Sequence, residues 1–192
     1  MAIGFYVDLT SCIGCRTCQV ACKDRHDMHE VGPRPRRVET YEYGTYPSAT
    51  LVHDVMSCNH CENPACVASC PTGAMFKSKD GAVLHDDSVC VLCRMCMTSC
   101  PYGAPQLDTV NNMIVKCDTC KSLREAGGEP TCVAACPMRA IHFGEIEDLK
   151  AQYGADLVSD LPHLPTSEWT NPNVLYKAPE ATSQKEFVAV TL

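Results

Sequence analysis

The chain has 192 residues and a formal net charge of -7, a balance that argues against a protein built to neutralise nucleic-acid phosphates, which needs clustered Lys and Arg. Sixteen cysteines stand against only 38 Leu, Ile, Val and Phe residues, so the chain is poor in core-building side chains and cysteine is its framework. No apolar run approaches the roughly 18 residues of a membrane span, and Asp8 and Cys12 come before a signal-type apolar core can form, so a soluble chain without its own export signal is expected.

In chain order, Gly4 to Leu9 is predicted as a strand leading into Cys12, Cys15, Cys18 and Cys22. Lys23 to Ser57, with Pro33-Arg-Pro-Arg-Arg, reads as a loop crossing the surface, with a short strand over Leu51 to Met56 near its end. Cys58, Cys61, Cys66 and Cys70 follow, with a brief helix over Ala65 to Cys70. Ala74 to Lys77 and Ala82 to His85, joined through Ser78-Lys-Asp-Gly, form a predicted hairpin. Next come Cys90, Cys93, Cys96 and Cys100 with a helix over Arg94 to Cys100, then a strand at Met113 to Val115. The last group is Cys117, Cys120, Cys132 and Cys136, and Glu145 to Tyr153 is a predicted helix. From Leu161 onward Pro162, Pro165, Pro172 and Pro179 leave no period that would pack on itself. With Trp169 and Phe187, this tail is expected to lie along another protein.

The sixteen cysteines fall into four groups of four with none left over. The first and third read C-x2-C-x2-C-x3-C; the second widens its middle gap to four residues, and the fourth to eleven. Disulfides suit secreted frameworks, and thiols at i, i+3 and i+6 gather about a point instead of meeting distant partners. Structural zinc wants two C-x2-C pairs separated by a dozen or more residues, a pattern only the fourth group partly resembles. The run followed by proline is the bacterial ferredoxin pattern, in which three cysteines ligate one 4Fe-4S cluster and the fourth ligates its neighbour. Four groups therefore predict four 4Fe-4S clusters with iron bound through all sixteen cysteines.

Cross-ligation between groups leaves two pairings open, first with second and third with fourth, or outer with outer and inner with inner. The linker lengths fit the nested version better. It assigns Cys12, Cys15, Cys18 and Cys136 to one cluster, and Cys22, Cys117, Cys120 and Cys132 to a second. Cys58, Cys61, Cys66 and Cys100 would hold a third, and Cys70, Cys90, Cys93 and Cys96 a fourth. The expected fold class is α+β, two bacterial-ferredoxin-like lobes of short hairpins and short helices. Residues 1–50 and 101–145 would form the outer lobe, 51–100 the inserted inner lobe, and 146–192 a helix and an extended partner-binding tail. No catalytic residue is expected: the seven histidines are scattered and no Gly-rich phosphate loop follows a strand. His60 is expected beside a cluster or at the surface and not as a ligand, and Arg16 and Arg94 are candidate cations near clusters.

Cys12-Ile-Gly-Cys-Arg-Thr-Cys-Gln-Val-Ala-Cys, Cys58-Asn-His-Cys-Glu-Asn-Pro-Ala-Cys, Cys70-Pro-Thr-Gly-Ala, Cys100-Pro-Tyr-Gly-Ala, Cys136-Pro-Met-Arg-Ala and Thr170-Asn-Pro-Asn carry a family resemblance from residue 4 to about 180. Together they resemble the four-cluster iron-sulfur subunits of membrane-bound molybdopterin oxidoreductases, of the dimethyl sulfoxide reductase type. The resemblance implies a non-catalytic electron-transfer subunit in anaerobic respiration. Its partners would be a molybdopterin catalytic subunit and a quinol-oxidising membrane anchor, without nucleic acid and with membrane contact only through the anchor. It favours the nested pairing. It also implies four 4Fe-4S clusters, because Cys93 stands where related nitrate reductase chains carry tryptophan. Similar subunits serve polysulfide, thiosulfate and tetrathionate reductases, and a free polyferredoxin is the alternative from another class. By analogy the chain would sit peripherally on the bacterial cytoplasmic membrane, on the periplasmic or outer face after export with its catalytic partner; a cytoplasmic-facing complex fits the sequence equally well.

Overall fold

A computed structural model describes residues 2–154 and 156–191. The first strand, β1 (Ile3–Asp8), is apolar on both faces and buried along almost its whole length. It lies between two others, antiparallel to β8 (Ile141–Glu145) with Phe5 opposite Phe143, and parallel to β9 (Val174–Lys177) with Phe5 opposite Val174. A second sheet has β2 (Arg37–Tyr43) at its centre, flanked by β3 (Thr50–Met56) and β10 (Phe187–Val190). Two hairpins complete the strands, β4 (Met75–Lys77) with β5 (Val83–His85) and β6 (Gln106–Asp108) with β7 (Met113–Val115).

Each cysteine group carries or adjoins a short helix: α1 (Thr17–Arg25), α2 (Ala65–Ala68), α3 (Met95–Ser99), and α4 (Lys121–Glu125) with α5 (Thr131–Ala134); α6 (Ile146–Tyr153) follows β8. Proline decides their lengths. Cys70, Cys100 and Cys136 each precede a proline, which disfavours helical backbone at the residue before it, and α2, α3 and α5 stop before those cysteines. Cys100 is accordingly extended, at φ -78° and ψ 113°. Cys22 is followed by Lys23, so α1 runs through it to Arg25. Helices of four or five residues do not stand alone in water. They pack in pairs, α1 on α5 and α2 on α3.

The main core joins Phe5 and Val7, Val38, Val52 and Val55, Ile141 and Tyr176 to Cys18, Cys132 and Cys136. A second core gathers Met75, Val83 and Ile114 around Cys66 and Cys96. Three strands therefore fall across the expected boundaries at 50 and 100. β3 pairs with β2 and supplies Val52 and Val55 to the outer core, whereas β6 and β7 pack their Leu107 and Ile114 on the inner one.

Two further expectations need correction. The stretch 23–57 holds β2 as well as β3, because Val38 and Thr40 alternate with Glu39 and Tyr41 and turn inward. The tail does pack on its own chain. Leu161, Val174, Leu175 and Tyr176 are buried, β9 completes the first sheet, and His163 is held by Tyr43 and Asp54. Trp169 keeps its exposure, at 68%.

Candidate metal centres

Backbone in the left-handed region shapes every cysteine loop. The residue two after the first cysteine has positive φ in all four groups, at Gly14 (68°), His60 (44°), Leu92 (55°) and Thr119 (62°). This turns an amide back toward the sulfur just passed: Thr119 N–H donates to Cys117 Sγ at 3.4 Å and Leu92 N–H to Cys90 Sγ at 3.5 Å. Successive amides pointed at one concavity make an anion-binding nest, the backbone counterpart of a thiolate-rich site. Glycine suits the first of these positions for a second reason, since a Cβ on Gly14 would lie 2.6 Å from His53 Nδ1.

The Cys-Pro loops repeat one geometry. Three residues after the cysteine the chain again takes positive φ, at Gly73, Gly103 and Arg139. An amide a residue or two later then reaches the sulfur, Ala140 N–H to Cys136 at 3.3 Å and Met75 N–H to Cys70 at 3.4 Å.

The thiols come together as outer with outer and inner with inner. One cavity is lined by Cys12, Cys15, Cys18 and Cys136, together with Val38, Val55 and Ile141. A second is lined by Cys58, Cys61, Cys66 and Cys100, with Pro101 and Ala104 where the first has Pro137 and Ala140. Cys22 lies in the field of Cys132 and Cys120, and Cys96 in that of Cys90, Cys70 and Cys93. Cys15 and Cys93 are exposed, whereas Cys18, Cys22, Cys58, Cys66, Cys96, Cys117, Cys120, Cys132 and Cys136 are buried.

Burial raises the pKa of several of these thiols. It pushes Cys18 up to about 11 and Cys22 up to about 12, with Arg36 opposing in both, and raises Cys66 to about 12. Burial also raises Cys61 to about 11, against a hydrogen bond from the Thr170 hydroxyl. Cys120 differs: burial would raise it, but hydrogen bonds led by His26 hold it below the ordinary thiol range. Thiols kept neutral in a dry interior bind metal with release of their protons. A set of four soft sulfur donors with amide N–H groups aimed at them, and no carboxylate among the residues lining either cavity, fits a 4Fe-4S cluster.

Two buried basic side chains, Arg36 and Lys116, went unassigned in the sequence, and His60, expected beside a cluster or at the surface, is buried. Arg36 belongs to a stretch that reads as surface loop, yet it is fully buried and its guanidinium sits 4.4 Å over the Phe5 ring. Lys116 and His60 are buried beside the thiols as well, and His60 Nδ1 accepts from Val83 N–H at 3.0 Å. Of the two cations expected near clusters, Arg16 is half-buried and Arg94 exposed. The tail clasps the second cysteine loop through Glu62 N–H to Asn171 O at 2.7 Å and Asn63 N–H to Thr170 O at 2.9 Å.

These loops and thiol sets define an iron-sulfur protein of the dicluster ferredoxin class. Residues 50–146 match a family described as a 4Fe-4S dicluster domain, and residues 11–74 match a second family of the same description. Among curated proteins, the sequence is 41% identical over 191 residues to the B chain of the anaerobic dimethyl sulfoxide reductase of Escherichia coli (strain K12), covering 94% of this chain and 90% of the relative. It is 38% identical over 167 residues to the B subunit of the sulfite dehydrogenase of Allochromatium vinosum, 76% of this chain and 70% of the relative. Against the thiosulfate reductase electron transfer subunit PhsB of Salmonella typhi it is 35% identical over 147 residues, 76% of this chain and 77% of the relative. The protein belongs to the family of the dimethyl sulfoxide reductase iron-sulfur subunits, which transfer electrons within oxidoreductase complexes. Among the described residues no helix is long and apolar enough to cross a membrane.

Proposed function

We propose that this subunit carries electrons through four 4Fe-4S clusters, from a quinol-oxidising membrane anchor to a molybdopterin catalytic subunit that reduces dimethyl sulfoxide or a similar terminal acceptor. Cys12, Cys15, Cys18 and Cys136 hold the first cluster, and Cys22, Cys117, Cys120 and Cys132 the second. Cys58, Cys61, Cys66 and Cys100 hold the third, and Cys70, Cys90, Cys93 and Cys96 the fourth. When bound, each supplies a one-electron couple that needs no proton. The observation that carries the reading is the pair of cavities lined by Cys12, Cys15, Cys18, Cys136 and by Cys58, Cys61, Cys66, Cys100. Each cavity joins three cysteines of one group to the last cysteine of its partner group, the cross-ligation of a two-cluster ferredoxin. The packing of α1 on α5 and of α2 on α3 supports the same pairing.

The protein's own contribution is to hold the sulfurs, aim amides at them and exclude water; it has no part that reads the terminal acceptor. The complex sits at the outer face of the cytoplasmic membrane in this reading, with the subunit peripheral to it. Iron and acid-labile sulfide in the purified chain test the cluster number. About sixteen of each are expected, and fewer than about twelve iron atoms would overturn four clusters. Recovery from native membranes tests the role, since isolation of the chain without a molybdenum protein would point to a freely diffusing shuttle.

A further inference from the structure

Where the outer and inner thiol sets meet, the interior is basic. Arg36 is 1% exposed, donates through Nη2 to Cys132 Sγ at 3.5 Å and through Nη1 to Val55 O at 3.3 Å, and leaves Nε without a partner. Its backbone N–H reaches Cys22, so one residue touches two thiols of a single set. Its side-chain hydrogen bonds go to a sulfur and a carbonyl and not to a carboxylate. An arginine stays charged at any working pH, and a buried charge needs a counter-charge. Here the candidates are the sulfurs of Cys132 and Cys22, which would become thiolates on binding metal.

Across the seam, Lys116 is 7% exposed and its Nζ donates to the carbonyls of Val83 and of Cys117, the latter at 2.8 Å. Val83 lines the cavity of Cys58, Cys61, Cys66 and Cys100, so the Lys116 amine is bonded on one side to the wall of the inner set and on the other to the backbone of Cys117 in the outer set. The two cations thus stand at the thiol sets themselves, Arg36 on Cys132 and Lys116 between Val83 and Cys117. Neither belongs to the ferredoxin spacing, and neither is a ligand.

We infer that Arg36 is a positioning residue that sets the reduction potential of the centre held by Cys22, Cys117, Cys120 and Cys132, with Lys116 doing the same for the centre held by Cys58, Cys61, Cys66 and Cys100, so that electrons cross between lobes at a raised step. This rests on the ligand sets proposed above. One electron arriving there adds one negative charge to the thiolate-bound site and leaves its donor in the neighbouring set oxidised by one, with no proton taken up. A fixed cation in a dry interior favours the more negative state, and charge and hydrogen bonds at the sulfurs are the protein's levers on such potentials. The exposed Arg94, screened by water, has far less leverage.

The test is a redox titration followed by electron paramagnetic resonance on the iron-loaded full-length chain in its complex, comparing Arg36→Gln, Arg36→Lys and Lys116→Met. Arg36→Gln should make reduction of one centre at least tenfold less favourable, a fall of 59 mV for a one-electron couple. Arg36→Lys, which keeps the charge and loses the planar fork, should restore most of that fall. Unchanged midpoints in Arg36→Gln at full iron content overturn the inference, as does an equal fall in Arg36→Lys. Should Arg36→Gln fail to retain iron, Lys116→Met carries the test, since its amine donates only to carbonyls; an unchanged midpoint there at full iron overturns it. A low iron count in the unaltered chain would undo the ligand sets instead, a result distinct from either.

Discussion

Asn173 holds three parts of the molecule together with one residue. Its side-chain Nδ2 donates to His60 O at 2.8 Å, its backbone N–H to Asn59 O at 2.9 Å, and its carbonyl accepts from Phe5 N–H at 3.3 Å. Both Asn173 and His60 are buried, so Asn173→Ala leaves the His60 carbonyl unpaired without water to replace the donor. An orphaned buried acceptor costs about 1–3 kcal/mol, which is about 5- to 150-fold in the equilibrium for opening the second cysteine loop. The loop carries Cys58 and Cys61, so iron should leave this loop faster while the remaining centres keep their rate. The assay is release to a ferrous chelator at neutral pH, followed by absorbance, with electron paramagnetic resonance identifying the signal lost. A release rate within about twofold of the unaltered chain, the size of an ordinary surface substitution, would refute the reasoning and show that the loop is held by its own backbone.

Gly4→Ala should destabilise strongly, because the new Cβ would lie 2.0 Å from the Asn173 carbonyl oxygen and neither group is on a side chain that can swing away. Overpacking of this kind costs about 1–3 kcal/mol or more, and a thermal midpoint equal to that of the unaltered chain would count against the close approach. Tyr43→Phe removes the partner of His163 Nδ1, a 2.6 Å hydrogen bond, at about 1–3 kcal/mol near neutral pH. Burial, with Asp54 and Tyr41 adding, pushes Tyr43 up to about 12, above its unfolded value. Its contribution is therefore complete below the ordinary tyrosine range and lost as pH rises from about 10 through the folded value. Melting curves at pH 8 and pH 11 should differ less in the variant, and an equal difference would refute the assignment. Truncation after Asp160 removes β9 and the clasp over the second loop, so iron retention should fall along with partner binding; a truncated chain with unchanged iron would make the tail a docking segment alone.

The cysteine framework was legible because its information is local. A ligand loop is a matter of spacing, and the proline after Cys70, Cys100 and Cys136 announces where each helix must stop. The strand at Met113–Val115 and the hairpin of β4 and β5 could be read for the same reason, being bounded by turn residues. β2 carried a readable alternation that the neighbouring Pro33-Arg-Pro-Arg-Arg obscured. The tail was hidden by a different cause. β9 has only Val174, Leu175 and Tyr176 to bury, and its strand character comes from the open edge of β1, more than 160 residues earlier. Pairing over such a distance leaves no period in either segment. Arg36 was hidden in the same way, since nothing in its surroundings along the sequence distinguishes a buried arginine from Arg34 or Arg37.

The position of β9 bears on the order in which the molecule can be completed during synthesis. β1 is made early and β9 late, and β1 has no parallel neighbour until residues 174–177 emerge. The clasp of residues 170–173 on residues 59–63 becomes available at nearly the same moment. Until then the second cysteine loop lacks its cover and Cys61 lacks the Thr170 hydroxyl. The cover of the second cysteine loop is thus the work of a segment that is made only after every cysteine is already in place.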